Sequence, residues 1–195
     1  MKKDHEPTYS FVILTFILIV INTLFAWISV TFFPAIAGGV VSWAYIAVAF
    51  MILFTLWYGA YGAIAAYVGT LVGSGFLVSV TLVNNPVIAL IWAIAGLLQA
   101  LIPLVAVRSF EVNLTLANPR DLTYILLFGV IINNLIGAAW ATWTLSLIET
   151  VNMVSVFSAW FIGNAIVCLV LVPLALKFLT PRIEKHRLFV KNYWN

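Results

Sequence analysis

The side chains of this 195-residue chain that could do specific chemistry are neutral amides and indoles embedded in long apolar runs. Asn22, Gln99, Asn133, Asn134 and Asn164 interrupt such runs, and no acid or base stands beside them. An amide held in hydrocarbon without partners is costly, so these groups must meet one another, a backbone carbonyl or a ligand. Two readings stay open: hydrogen bonds that hold helices together, or contact of one or more amides with a substrate. The indoles are the second signal, with eight tryptophans in the chain. Trp27, Trp43, Trp92, Trp140, Trp143 and Trp160 all map to the outer half of the bilayer under the topology derived below. An interfacial aromatic belt explains part of this, although a belt populates both faces. Trp140 and Trp143 lie three apart on one helix face, at a depth close to Trp160 and the Asn84-Asn85 turn. Aromatic walls with a few amide donors suit a planar ligand. The substrate-binding candidates are therefore Trp140, Trp143, Trp160, Asn84, Asn85, Asn134 and Asn164, with Glu149 available to a cationic group on the ligand.

The groups needed for catalysis are missing from the apolar runs. His5 and His186 lie in the polar tails, no carboxylates pair within a run, and Cys168 is the only cysteine. Acid–base, nucleophilic and metal chemistry thus lack their residues, and the chain reads as no enzyme, with no metal site and no cofactor. A proton-coupled pump normally keeps an ionisable residue inside its bundle, and none is present here.

The elements that carry these residues follow from hydropathy. Apolar residues make up 65% of the chain, charged ones 8%, and the mean hydropathy is +1.16. From Pro7 to Val107 there is no Lys, Arg, Asp or Glu, which excludes an ordinary soluble core and implies repeated crossing of a bilayer. Breaks at Pro34 to Gly39, Tyr58 to Gly62, Asn84 to Pro86, Arg108 to Asp121 and Glu149 to Asn152 divide the chain into six apolar segments. They run near Ser10 to Phe33, Val40 to Trp57, Gly59 to Val83, Pro86 to Val107, Leu122 to Ile148 and Val154 to Leu179. Asn118-Pro119-Arg120-Asp121 and Asn85-Pro86 read as helix starts, with Asn as cap and Pro at the first helical position.

With six spans, all nine basic residues fall on one side and the other side carries only Glu149. The positive-inside rule then places both termini in the cytoplasm of a multi-pass plasma-membrane protein. The net charge of +3 belongs to this asymmetry, so no nucleic-acid partner is implied. Residues 1–9 and 180–195 form cytoplasmic tails around a transmembrane domain of residues 10–179. On the third segment Gly62, Ala66, Gly69 and Gly73 share one small-residue face. That face either packs within the bundle or docks a separate membrane subunit.

Six short-looped helices, basic ends and the run Trp57-Tyr58-Gly59-Ala60-Tyr61-Gly62-Ala63-Ile64-Ala65-Ala66-Tyr67-Val68-Gly69 resemble the substrate-binding S components of energy-coupling factor transporters. The resemblance implies capture of a vitamin-like small molecule from outside and delivery through a membrane coupling subunit with ATPases. It also implies a lid at Pro34 to Gly39 and a pocket at the outer ends of the last three helices. Many members dock their coupling subunit through an Ala-xxx-Ala motif on helix one. Helix one here has none, which leaves the small face of helix three as the substitute.

A second resemblance covers the C-terminal half. Gly96-Leu97-Leu98-Gln99-Ala100-Leu101, Asn118-Pro119-Arg120-Asp121, Trp160-Phe161-Ile162-Gly163-Asn164 and Val172-Pro173-Leu174 are similar to membrane sensor domains of bacterial histidine kinases and cyclases. That resemblance implies a sensor signalling through a separate partner. A structural subunit of a larger membrane complex is the remaining alternative. The expectation drawn from all of this is an all-α bundle of six membrane helices that binds a small molecule and works with membrane partners in the lipid bilayer.

Overall fold

The computed structural model describes residues 9–33 and 42–190, and these form helices with no strand among them. The elements are α1 (Tyr9–Phe32), α2 (Ala47–Tyr58), α3 (Ala60–Phe76), α4 (Val80–Asn84), α5 (Pro86–Ser109), α6 (Pro119–Leu145) and α7 (Met153–Ile183). Four of them, α1, α5, α6 and α7, are long and apolar enough to cross a membrane, which fits an all-helical membrane protein. The Pro34 to Gly39 loop lies outside the described residues.

Two of the expected segments differ from their predicted form. Within the segment predicted at Val40 to Trp57, the described residues from Ser42 on are helical only from Ala47, and α2 measures about 18 Å at 1.5 Å per residue. Its residues Ala47 to Ala49 and Met51 to Trp57 are all buried, because α1, α3, α5 and α7 surround it. A helix apolar on every side is the form a fully enclosed helix takes. Ahead of it, Ser42, Ala44 and Tyr45 are buried in non-helical backbone. Ser42 Oγ donates to Ser29 O at 2.9 Å and to Phe33 O at 2.7 Å, satisfying carbonyls at the open end of α1. The segment predicted at Gly59 to Val83 is also interrupted: α3 ends in a π-helical stretch, Thr70–Phe76, before the short α4.

The turn between α2 and α3 is a single residue. Gly59 sits at φ 61° and ψ −131°, a conformation that residues with a Cβ rarely adopt. Gly62 follows within one turn, and a Cβ there would strike the backbone of Phe54 and Thr55 in α2. The two helices therefore pack as a tight antiparallel hairpin. Gly59→Ala is expected to lower the thermal-unfolding midpoint in detergent, at a cost of about 1–3 kcal/mol. An unchanged midpoint would mean that the turn relaxes freely.

Prolines shape the rest. Pro86 and Pro119 occupy the first turns of α5 and α6 as predicted, although neither Asn85 nor Asn118 caps its helix through the side chain. Asn85 Nδ2 instead donates backwards to Thr81 O at 2.9 Å. Pro103 inside α5 has no N–H to offer the carbonyl four residues earlier, that of Gln99. Asn133 Nδ2 donates to this carbonyl at 3.4 Å, so an amide of α6 repairs the break in α5. Gln99 Nε2 donates to Asn134 Oδ1 at 2.6 Å, and Asn134 Nδ2 to Val130 O at 2.8 Å. Val130 belongs to a second π-helical stretch, Leu127–Ile132, where the regular backbone pattern is also interrupted. Gly137 leaves the room in which the Gln99 side chain crosses to α6.

The chain reverses at two ends of the bundle. At one, Trp57 Nε1 donates to Thr180 Oγ1 at 3.0 Å, and Val190 N donates to Trp57 O at 3.0 Å. Arg108 Nη2 reaches Val190 O at 2.6 Å, and Arg187 Nη2 reaches Ser10 Oγ at 3.1 Å. The described residues after α7, which lie in the segment expected as the C-terminal cytoplasmic tail, fold back over the ends of α1, α2 and α5. The opposite end gathers Ser42 beside the end of α1, the α4–α5 turn and the α6–α7 turn that carries Glu149.

Candidate small-molecule binding site

Near that opposite end lies a cavity of about 220 Å³. Its wall takes Val30 from α1, Ser42 and Tyr45 from the non-helical stretch, and Thr70 and Ser74 from the π-helical stretch of α3. Val78, Ser79 and Leu82 follow. Trp92 and Gln99 come from α5, Leu145 from α6, and Trp160 and Asn164 from α7. Each position has a local cause. Gly96 lets α5 approach the π-helical stretch so closely that a Cβ would meet Thr70 Oγ1. Gly163 does the same on α7, where the Trp43 carbonyl occupies the space a Cβ would need. The buried non-helical backbone at Ser42 to Tyr45 is the kind that membrane proteins tolerate where it lines a cavity.

The hydroxyls of the wall are largely satisfied. Tyr45 Oη and Ser74 Oγ share a hydrogen bond of 3.1 Å, Ser74 Oγ donates to Thr70 O at 2.9 Å, and Ser79 Oγ accepts from Leu82 N at 3.2 Å. Gln99 is bonded to Asn134, but the Asn164 amide and the two indoles are not satisfied. Asn164 is 1% exposed, and neither its Nδ2 nor its Oδ1 has a hydrogen-bond partner. The indole nitrogens of Trp92 and Trp160 are buried without partners as well. Their rings meet edge to face, with centroids 5.9 Å apart at 78°. Buried polar groups are paired in the large majority of cases. Three unpaired side chains thus meet along this wall. No Asp, Glu, Lys, Arg or His lies among the described lining residues.

The residues expected from sequence divide into three groups. Trp160 and Asn164 line the cavity. Asn134 lies one step behind the wall, bonded to Gln99. The others stand apart from it: Trp140 donates its indole N–H to Ile91 O at 2.8 Å and packs on Trp143, which is 47% exposed. Asn84 is exposed, Asn85 is bonded to its own turn, and Glu149 sits half-buried in the α6–α7 turn. Trp27 and Trp43 are also exposed, as belt residues would be. Among the described tryptophans, Trp27, Trp43 and Trp143 are exposed, Trp140 is half-buried, and Trp57, Trp92 and Trp160 are buried, of which Trp92 and Trp160 line the cavity.

Sequence reasoning passed over Tyr45, Thr70, Ser74 and Trp92 as wall residues. A usable signal was present in the spacing of four between Thr70 and Ser74 and between Trp160 and Asn164, which puts each pair on one helical stripe. The small-residue face of α3 is occupied from within. A Cβ at Gly69 would fall on the Asn22 side chain, one at Gly73 on Thr23 O and Ala26, and Ala66 is fully buried. Of the two roles open to that face, packing inside the bundle is the one its geometry displays, and Asn22 Nδ2 adds a bond to Ala65 O at 3.2 Å. No family model, curated protein or solved structure matches the chain.

Proposed function

We propose that this chain is the substrate-binding membrane subunit of an energy-coupling factor type importer, capturing a small molecule from outside the cell. The observation that carries the reading is the cavity walled by Trp92, Trp160 and Asn164, whose polar atoms lack partners. Small-molecule sites combine a mostly apolar wall with a few polar groups that orient the ligand, and this wall has that composition. In this reading the two short helices α2 and α3, with their non-helical extensions, complete six crossings alongside the four long helices. Arg108, Arg120, Lys177, Arg182, Lys185 and Arg187 gather toward the end opposite the cavity, so the positive-inside rule turns the cavity outward and both termini inward. Since the small face of α3 is covered, a coupling subunit has to meet another surface. The outer stripe of α1, with Val12, Phe16, Val20 and Leu24 exposed, is open to such a subunit or to lipid.

The test is purification of the tagged protein from its native membrane in mild detergent, with identification of what accompanies it. A membrane coupling protein with ATPases is the expected result. Recovery with a histidine kinase, a cyclase or a large stable complex instead would overturn the importer reading in favour of a sensor or a structural subunit.

A further inference from the structure

We infer that the cavity takes an uncharged, planar heterocycle of one or two rings that presents a hydrogen-bond donor beside an acceptor to Asn164. This rests on reading the cavity as the capture site proposed above. Each property of the ligand follows from a separate feature of the wall. Charge is disfavoured because no charged side chain stands among the described lining residues to pair with it, and an unpaired ion in such a site is costly. Planarity follows from the two indoles. Set at 78° to one another, they form a corner in which a flat ring lies against one face and meets the edge of the other.

Size follows from the volume. A cavity of roughly 150 Å³ holds a benzene-sized molecule. The 220 Å³ here admits a somewhat larger ring system and excludes nucleotides and peptides.

The hydrogen-bond pattern is the most specific feature. Asn164 has a free acceptor at Oδ1 and a free donor at Nδ2, both buried. A carboxamide satisfies both at once by pairing edge to edge with a group that carries N–H next to an acceptor, as asparagine does with adenine. Lactams, cyclic ureides and aminopyrimidines share that edge. Trp92 and Trp160 add only donors, so the ligand's remaining polar atoms in the cavity are acceptors. The hydroxyls of Tyr45 and Ser74 are already bonded to each other and offer less.

The experiment measures binding of 2-quinolinone, a neutral two-ring lactam, to the purified chain by equilibrium dialysis against empty micelles. N-methyl-2-quinolinone, which lacks the donor, and the N-methylquinolinium cation are measured alongside. The expected result is that 2-quinolinone binds about tenfold more tightly than its N-methyl analogue, the scale of one buried hydrogen bond, and that the cation does not bind. Asn164→Leu removes both partners of the lactam edge and should reduce 2-quinolinone at least to the level of the analogue. Trp160→Phe keeps the ring and removes one donor, and should weaken the lactam several-fold whether or not the leucine variant folds.

Equal binding of the two quinolinones, preference for the cation, or no binding of either quinolinone at millimolar concentration would each overturn the inference. The assay uses the isolated chain, so its outcome is separate from that of the co-purification. Lactam selectivity without accompanying ATPases would remove the importer and keep the ligand class. ATPases without selectivity would do the reverse.

Discussion

Replacing Asn164 by leucine is expected to raise the thermal-unfolding midpoint of the empty protein in detergent while weakening its hold on a lactam ligand by about tenfold or more. Most substitutions at a residue 1% exposed lower stability. Here the sign is reversed because both polar atoms of the amide are buried without partners, a state that costs about 1–3 kcal/mol. Leucine has the same branching and heavy-atom count as asparagine, and the adjoining cavity gives room for its larger methyl groups, so it removes that cost without forcing the core apart. Ala165, Val167 and Cys168 nearby belong to the apolar core, which leaves no polar neighbour on the same turn to suffer from the change. Stability rising as function is lost is the signature of a group retained for binding. A lower midpoint for the leucine variant would instead assign Asn164 to structural pairing through trapped water and move the ligand contacts to the indoles.

The second expected result concerns the small-residue face. Gly73→Leu should separate α1 from α3 and lower stability by about 3 kcal/mol or more, enough to reduce the yield of folded protein sharply. The added side chain would meet Thr23 O and Ala26, both on a helix whose backbone cannot yield locally. Gly69 one turn earlier faces Asn22 in the same way, so the two glycines together set the distance at which α1 packs. A bundle that folds as wild type after this substitution, yet loses a co-purifying membrane protein, would make the face a docking surface and contradict the packing described above. Size-exclusion chromatography and thermal unfolding of the purified variant separate the two outcomes.

Much of the architecture is legible in the sequence. The absence of charge from Pro7 to Val107 announces helices that cross lipid, and Pro86 and Pro119 mark where α5 and α6 begin. Gly59 and Gly62 mark a sharp reversal that hydropathy alone passes over, because nothing polar interrupts the run there. The late start of α2 was hidden for a related reason. Ser42 to Ile46 is apolar enough to be helical, and in its non-helical form it contacts the end of α1, Ser74 of α3 and Gly163 of α7.

The binding site was half legible. The amides at Gln99, Asn133, Asn134 and Asn164 stand out in sequence, but their roles do not. Gln99 and Asn134 are bonded to one another, and Asn134 and Asn133 donate to carbonyls in the π-helical stretch of α6 and near Pro103, while Asn133 Oδ1 is buried without a partner. Asn164, chemically the same, has nothing to pair with. The tryptophans behave alike: Trp140 and Trp92 carry the same indole, one bonded to Ile91 O and the other unpaired at the cavity.

Composition and the order of apolar runs by themselves determined that this chain is helical and suited to lipid, because those properties depend on side-chain type and local spacing. Which amide pairs, which indole turns inward and which glycine face is already filled were decided only by the tertiary structure. The physical reason is that a hydrogen bond or a close approach depends on what a different helix brings to within a few ångström, and that partner lies tens of residues away in the chain.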